Sequence, residues 1–195
     1  MLVAGARAKT KERTRRRLIG AATSLFAKKG NDRPSLDDIC AEAGVTRGAL
    51  YVHFDDRDDL LAAVMEDSGA RFLEALFGVD LDAQGLFAAF ARAMATGDYP
   101  LTRRGGMRPH QLLDACARSK TIRKRYTALV EDAVRRLADR LVVDQAAGRL
   151  RKDIEPVPAA TLLLMTAIGA HTLVDLDVPL DQAALVGALA TLLTR

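Results

Sequence analysis

Ser35-Leu36-Asp37-Asp38-Ile39-Cys40-Ala41-Glu42-Ala43-Gly44-Val45-Thr46-Arg47-Gly48-Ala49-Leu50-Tyr51-Val52-His53-Phe54 is the stretch whose reading decides the fold. Ser35 followed three residues on by Asp38 has the form of a capping box, in which a hydroxyl and a carboxylate satisfy the first free amides of a helix. Gly44 ends that short helix and reverses the chain, which glycine does without a Cβ penalty. Thr46 then caps a second short helix through Tyr51 to about Phe54. Ile39, Ala43 and Val45 are expected to point inward, with Leu50 and Phe54 facing the same core. Two short helices joined by a tight glycine turn make a helix-turn-helix when a third helix braces them.

The bracing helix is legible upstream. Leu18, Ala22, Leu25 and Phe26 fall at helical spacing from about Lys11, and Gly30 stops the run. Residues 1–10 show no period and read as a flexible basic arm. Downstream, Asp55 or Asp56 caps a fourth helix carrying Leu60, Leu61, Val64, Leu73 and Leu76. Longer helices are predicted at 82–96, 107–118, 120–148, 156–174 and 180–194. Loop signals stand at Gly97-Asp98-Tyr99-Pro100, Arg104-Gly105-Gly106, Gly148 and 175–179. No strand alternation persists, and Ala and Leu dominate while aromatics are only 5%, a composition that favours helices. The expected fold is all-α: an N-terminal three-helix helix-turn-helix unit at 11–56 and a helical body at 57–195.

Charge is unevenly spread. Residues 1–33 hold ten Lys and Arg against Glu12 and Asp32, a local charge of +8 within a total of +4, which leaves −4 on the rest. A basic end on a slightly acidic protein suits a polyanion partner, although a solvated tail has the same composition. The second short helix would present a face suited to a DNA major groove, which is wide enough for one helix. Arg47 at its start can reach guanine acceptors or a phosphate. Gly48 and Ala49 are small enough for close backbone approach, and Tyr51 and His53 have the reach to hold phosphate oxygens.

Residues 18–64 resemble the N-terminal domain of the TetR (tetracycline-repressor-like) family of bacterial regulators. The matching text is A-A-T-S-L-F-A-K-K-G at 21–30, the quoted stretch at 35–54, and D-L-L-A-A-V at 59–64. The resemblance implies a transcriptional regulator that binds double-stranded operator DNA as a homodimer. Ser35 stands at the family's capping position that also meets the DNA backbone, and Thr46 and Arg47 open the recognition helix. Tyr51 and His53 stand at its phosphate-contacting positions, and Arg57 at a basic position opening the fourth helix. Asp55 departs from a commonly basic position, and Asp56 and Asp58 add acid beside Arg57, which the basic residues from Lys9 to Arg17 would offset.

Two further expectations concern the body. The segments 156–174 and 183–193 are apolar nearly all round, so each must be covered by something other than its own core. Two such hairpins from two copies would form a four-helix bundle, as this family dimerises. The segment 156–174 also has nearly the length of a membrane span, but its prolines, threonines, Gly169 and His171 favour a buried helix of a soluble protein. The resemblance further implies a small, mostly apolar effector among the middle helices. Candidates to line its site are Phe72, Phe87, Phe90, Met94, Met107, Tyr126 and Met165, with His110, Gln111 and Asp114 as polar anchors. All of these are equally compatible with plain core.

Other classes are disfavoured. His53, His110 and His171 are scattered, and no G-x-S-x-G, P-loop or metal-ligand spacing occurs, so no enzyme, cofactor or metal is expected. Cys40 and Cys116 lack C-x-x-C spacing and read as buried small hydrophobes. No apolar segment follows the N-terminal charge, so a cytoplasmic protein is expected. A helix-turn-helix regulator governed by a protein partner, or by no effector, stays open.

Overall fold

In the computed structural model, residues 2–29, 34–78, 81–82, 84–86, 88–89, 92 and 109–194 are described. Eight helices are assigned among them: α1 Leu2–Lys29, α2 Leu36–Ala43, α3 Arg47–Tyr51, α4 Arg57–Phe77, α5 Pro109–Arg118, α6 Lys120–Ala146, α7 Pro156–Asp175 and α8 Gln182–Thr194. Residues 84–86, 88–89 and 92 are also helical, in line with a helix over 82–96 as far as it is described. The expected stop at Gly30 and the loops at 97–100 and 104–106 lie outside the described residues.

One expectation is corrected. Residues 2–10 are not an arm without regular structure; α1 runs back to Leu2. Ala4, Ala6, Arg7, Ala8 and Lys9 are strong helix formers, and the absence of an apolar stripe in the sequence removes the period without removing the propensity.

Capping follows the local sequence closely. The Ser35 hydroxyl accepts from the Asp38 amide at 3.0 Å and the Asp38 carboxylate accepts from the Ser35 amide at 3.1 Å. The Thr46 hydroxyl accepts from the Ala49 amide at 3.2 Å. Of the two candidates for α4, Asp56 is the cap, accepting from the Asp59 amide at 2.8 Å. Gly44 closes α2 with φ +62°. A Cβ there would also stand 2.9 Å from an Arg17 guanidinium nitrogen. Gly44→Ala is therefore expected to cost about 1–2 kcal/mol from left-handed strain alone, read as a lowered thermal midpoint; an unchanged midpoint would remove the turn from the list of constraints.

Three apolar clusters build the molecule. The first joins α1 (Leu18, Ala22, Leu25), α2 (Ile39, Ala43), Leu50 of α3, Phe54 and the start of α4 (Leu60, Val64), with Val45 packed against it. Leu18, Leu50 and Phe54 are essentially excluded from solvent. The second gathers Leu137, Leu141, Ala160, Leu163 and Leu193 where α6, α7 and α8 meet. The third sets Ala62 and Met65 of α4 against Leu112, Cys116 and Ile122. Helix α4 belongs to both ends: it packs on α1 and along α6.

Burial pushes the Cys40 and Cys116 thiols above the ordinary cysteine range, so both sulfurs stay protonated and apolar, as expected.

Candidate nucleic-acid interface

Helix α3 is short, and its orientation comes from its neighbours. Leu50 and Phe54 plug its inner face into the first cluster. Its outer face is then fixed: Thr46, Arg47 and Gly48 are exposed, Ala49 is half-buried, and Tyr51 is exposed. Of the positions expected to meet DNA, Thr46, Arg47, Gly48 and Tyr51 are exposed here and Ala49 and His53 are half-buried, with Ser35 exposed at the head of α2.

Arg47 is loosely tethered. Its Nε lies 3.3 Å from the Asp37 carboxylate, and both side chains are more than half exposed. Such a pair is worth little in water and is screened by salt, so Arg47 is free to exchange Asp37 for a base edge or phosphate. Nothing but the Thr46 hydroxyl comes within 4 Å of a Cβ built at Gly48, which leaves the backbone open to close approach there.

His53 sits under α1. Its Nδ1 is buried and has no hydrogen-bond partner. Burial, then the nearby Lys11 and Arg15 charges, lower its pKa below the ordinary histidine value. Arg15 lies over the Phe54 ring at 5.3 Å from its centroid, a cation–π contact that fixes this guanidinium at the edge of the same surface. Arg57 also leaves one guanidinium nitrogen buried without a partner.

The basic run of α1 divides its labour, which its composition does not reveal. Arg17 is spent inside the protein: its guanidinium donates to the Ala43 and Gly44 carbonyls at the end of α2. Arg16 pairs with Glu12 one turn away. Lys11 and Arg15 face His53. The acids around Arg57 are likewise partly committed, Asp56 to its cap and Asp59 to Arg125.

The proposed effector residues are placed unevenly. Tyr126 is part-buried against the third cluster, and burial, then Cys116, push its hydroxyl pKa up. Asp114 is exposed and paired with Arg118, so it does not point into that cluster. Met165 is 63% exposed on the outer side of α7 and does not join Tyr126; α7 is apolar all round, so hydrophobicity could not tell its sides apart. Phe72, His110 and Gln111 lie on α4 and α5, without described side chains. Phe87, Phe90, Met94 and Met107 lie outside the described residues.

Comparison with known proteins bears on this arrangement. Residues 18–64 match the model of the bacterial regulatory proteins of the tetR family. Over 83 residues the chain is 41% identical to the HTH-type transcriptional regulator SrpR of Pseudomonas putida, 43% of this chain and 38% of that protein. The first curated relatives are matched over about a quarter to three fifths of their own length. The fold is similar to that of regulatory protein TetR from Rhodobacter sphaeroides, with a TM-score of 0.69 at 23% identity, covering 91% of this chain and 97% of that one. It is also similar to the SmeT–triclosan complex, with a TM-score of 0.62 at 27% identity, covering 91% and 87%.

Proposed function

We propose that the chain is a regulator of the tetR family of bacterial regulatory proteins, a cytoplasmic repressor that binds a palindromic operator as a homodimer and leaves it on binding a small, mostly apolar effector. The observation that carries the DNA-binding part is the capped, exposed α3, held from behind by Leu50 and Phe54 with Arg47 and Tyr51 exposed on its outer face.

Roles follow from reach. Arg47 reads a base edge or phosphate at the head of α3, and Gly48 and Ala49 allow the approach. Ser35, Thr46, Tyr51, His53 and Arg57 hold the backbone, with Lys11 and Arg15 adding charge from α1. Ser35 and Thr46 accept from their own helix amides, which leaves each hydroxyl hydrogen to donate to a phosphate. A two-fold axis would set two copies of α3 about 34–36 Å apart, one turn of DNA. A dimer seated on a promoter blocks it by occupancy.

The effector is a proposal of its own. The α4–α5–α6 cluster around Met65, Leu112, Cys116 and Tyr126 is apolar with one phenol at its edge, and α4 joins that cluster to the recognition unit. A ligand there acts only if it binds the two arrangements of the dimer with different affinity. A protein of similar fold, SmeT, is known as a complex with triclosan, which supports looking for a small effector here.

The test is selection of duplexes from a random pool by the wild-type protein, followed by gel shift. A palindrome is expected to emerge. Arg47→Ala should cost about 1–3 kcal/mol on it and relax preference at one position per half-site if Arg47 reads a base. Arg57→Ala should weaken all duplexes alike and reduce the salt slope by about one. Binding untouched by either change would refute the interface.

A further inference from the structure

Asp59 holds the recognition unit and the body with one carboxylate. Its Oδ2 accepts from the Asp55 amide at 3.1 Å, in the turn that leaves α3. Its Oδ1 accepts from Arg125 of α6 at 2.6 Å. The same guanidinium donates to the Asp59 main-chain oxygen at 3.3 Å and stands 3.4 Å from Glu66. Asp59 and Glu66 are two turns apart on one face of α4, so the Arg125 fork grips a length of helix rather than a point. The pair is shielded, with side-chain exposures of 30% for Arg125 and 17% for Asp59. Arg136 on Glu74 straps the far end of α4 to the same helix.

We propose that Arg125 is a positioning residue: through Asp59 it sets the turn after α3, and hence the angle at which the recognition helix leaves the body. This rests on the DNA-binding reading for its consequence, though not for its geometry. Arg125 is followed by Tyr126, which packs on the third cluster. Two successive residues of α6 therefore touch the apolar interior and the root of the recognition unit. Lysine cannot replace the fork, because one ammonium cannot serve both Asp59 and Glu66 with fixed geometry.

The proposal separates from a plain stability effect by its readouts. Amide hydrogen exchange over 52–60 should speed about three- to tenfold in Arg125→Met, as expected for losing a part-shielded charge-assisted pair. Arg125→Lys should restore part of that protection. On the duplex selected by the wild type, Arg125→Met should lose a similar factor in affinity. On an unrelated duplex its affinity and salt slope should not change, since Arg125 would touch no phosphate. Asp59→Asn should behave alike, and the double variant should be no worse than either single one. Unchanged exchange, equal loss on both duplexes, or additive losses would each overturn the assignment. Failure of the wild type to enrich any duplex would instead sink the DNA-binding reading, while the exchange result would still decide the role of Arg125.

Discussion

Phe54→Ala is expected to cost about 3–5 kcal/mol and to abolish binding to any duplex, although Phe54 itself would touch no DNA. Its ring is 1% exposed and closes the cluster that α1, α2 and α3 share. Removing it leaves a void in the cluster that holds Leu18, Ile39 and Leu50, and leaves Leu50 as the buried side chain of α3 still anchoring it. It also removes the face over which Arg15 sits. Since a whole domain is stable by only about 5–15 kcal/mol, a loss of this size frees α3 from its mounting while the body stays folded. Circular dichroism should then show an early thermal transition of part of the helical signal. Val52→Ala is the control: Val52 is 64% exposed, and its truncation should stay within about 0.5 kcal/mol. Should Phe54→Ala melt with the wild type and still shift DNA, the orientation of α3 does not depend on this core.

What could be read from the sequence divides along the range of the interactions. Caps are local, so Ser35 with Asp38 and Thr46 were legible as helix starts, the cap of α4 was legible to within Asp55 or Asp56, and Gly44, at φ +62°, as a turn. Leu50 and Phe54 were legible as inward because an amphipathic helix leaves a period. The first turns of α1 were missed for the converse reason, since an Ala-rich segment whose sequence has no apolar period leaves no such signal. Arg17 on Ala43 and Arg125 on Asp59 span 26 and 66 residues; no spacing rule reaches that far, so neither role was visible. The effector candidates suffered from helix rotation. Asp114 and Met165 are on predicted helices, but which way they face depends on packing partners that their own segments do not encode.

That same uniform apolarity makes α7 and α8 the site of the other large effect. The helix Pro156–Val174 is long and apolar enough to cross a membrane, and only 17% of it is buried within one copy. Leu162, Met165, Gly169, Leu173 and Leu176 are all exposed, at steps of three and four residues, and Leu185, Ala188 and Leu192 repeat the pattern on α8. A stripe at that spacing has the form of a helix-bundle seam. Nothing stands within 4 Å of a Cβ built at Gly169 or Gly187, so a second helix has room to come close. A lipid-facing helix needs no such stripe, whereas a two-fold interface does, and it places each stripe residue in the contact twice. Leu162→Arg with Met165→Arg would then bury four unpaired cations. Each uncompensated buried charge costs several kcal/mol, enough to raise the dimer dissociation constant by at least about a hundredfold. Sedimentation at micromolar concentration should show the wild type as a dimer and the double variant as a folded monomer. The monomer should lose the palindrome but keep weak, salt-sensitive binding to any duplex, because α3 and its cations remain intact on each copy. A wild-type monomer, or a double variant that stays dimeric, would move the partner of α7 and α8 elsewhere and leave the two recognition helices without a common axis.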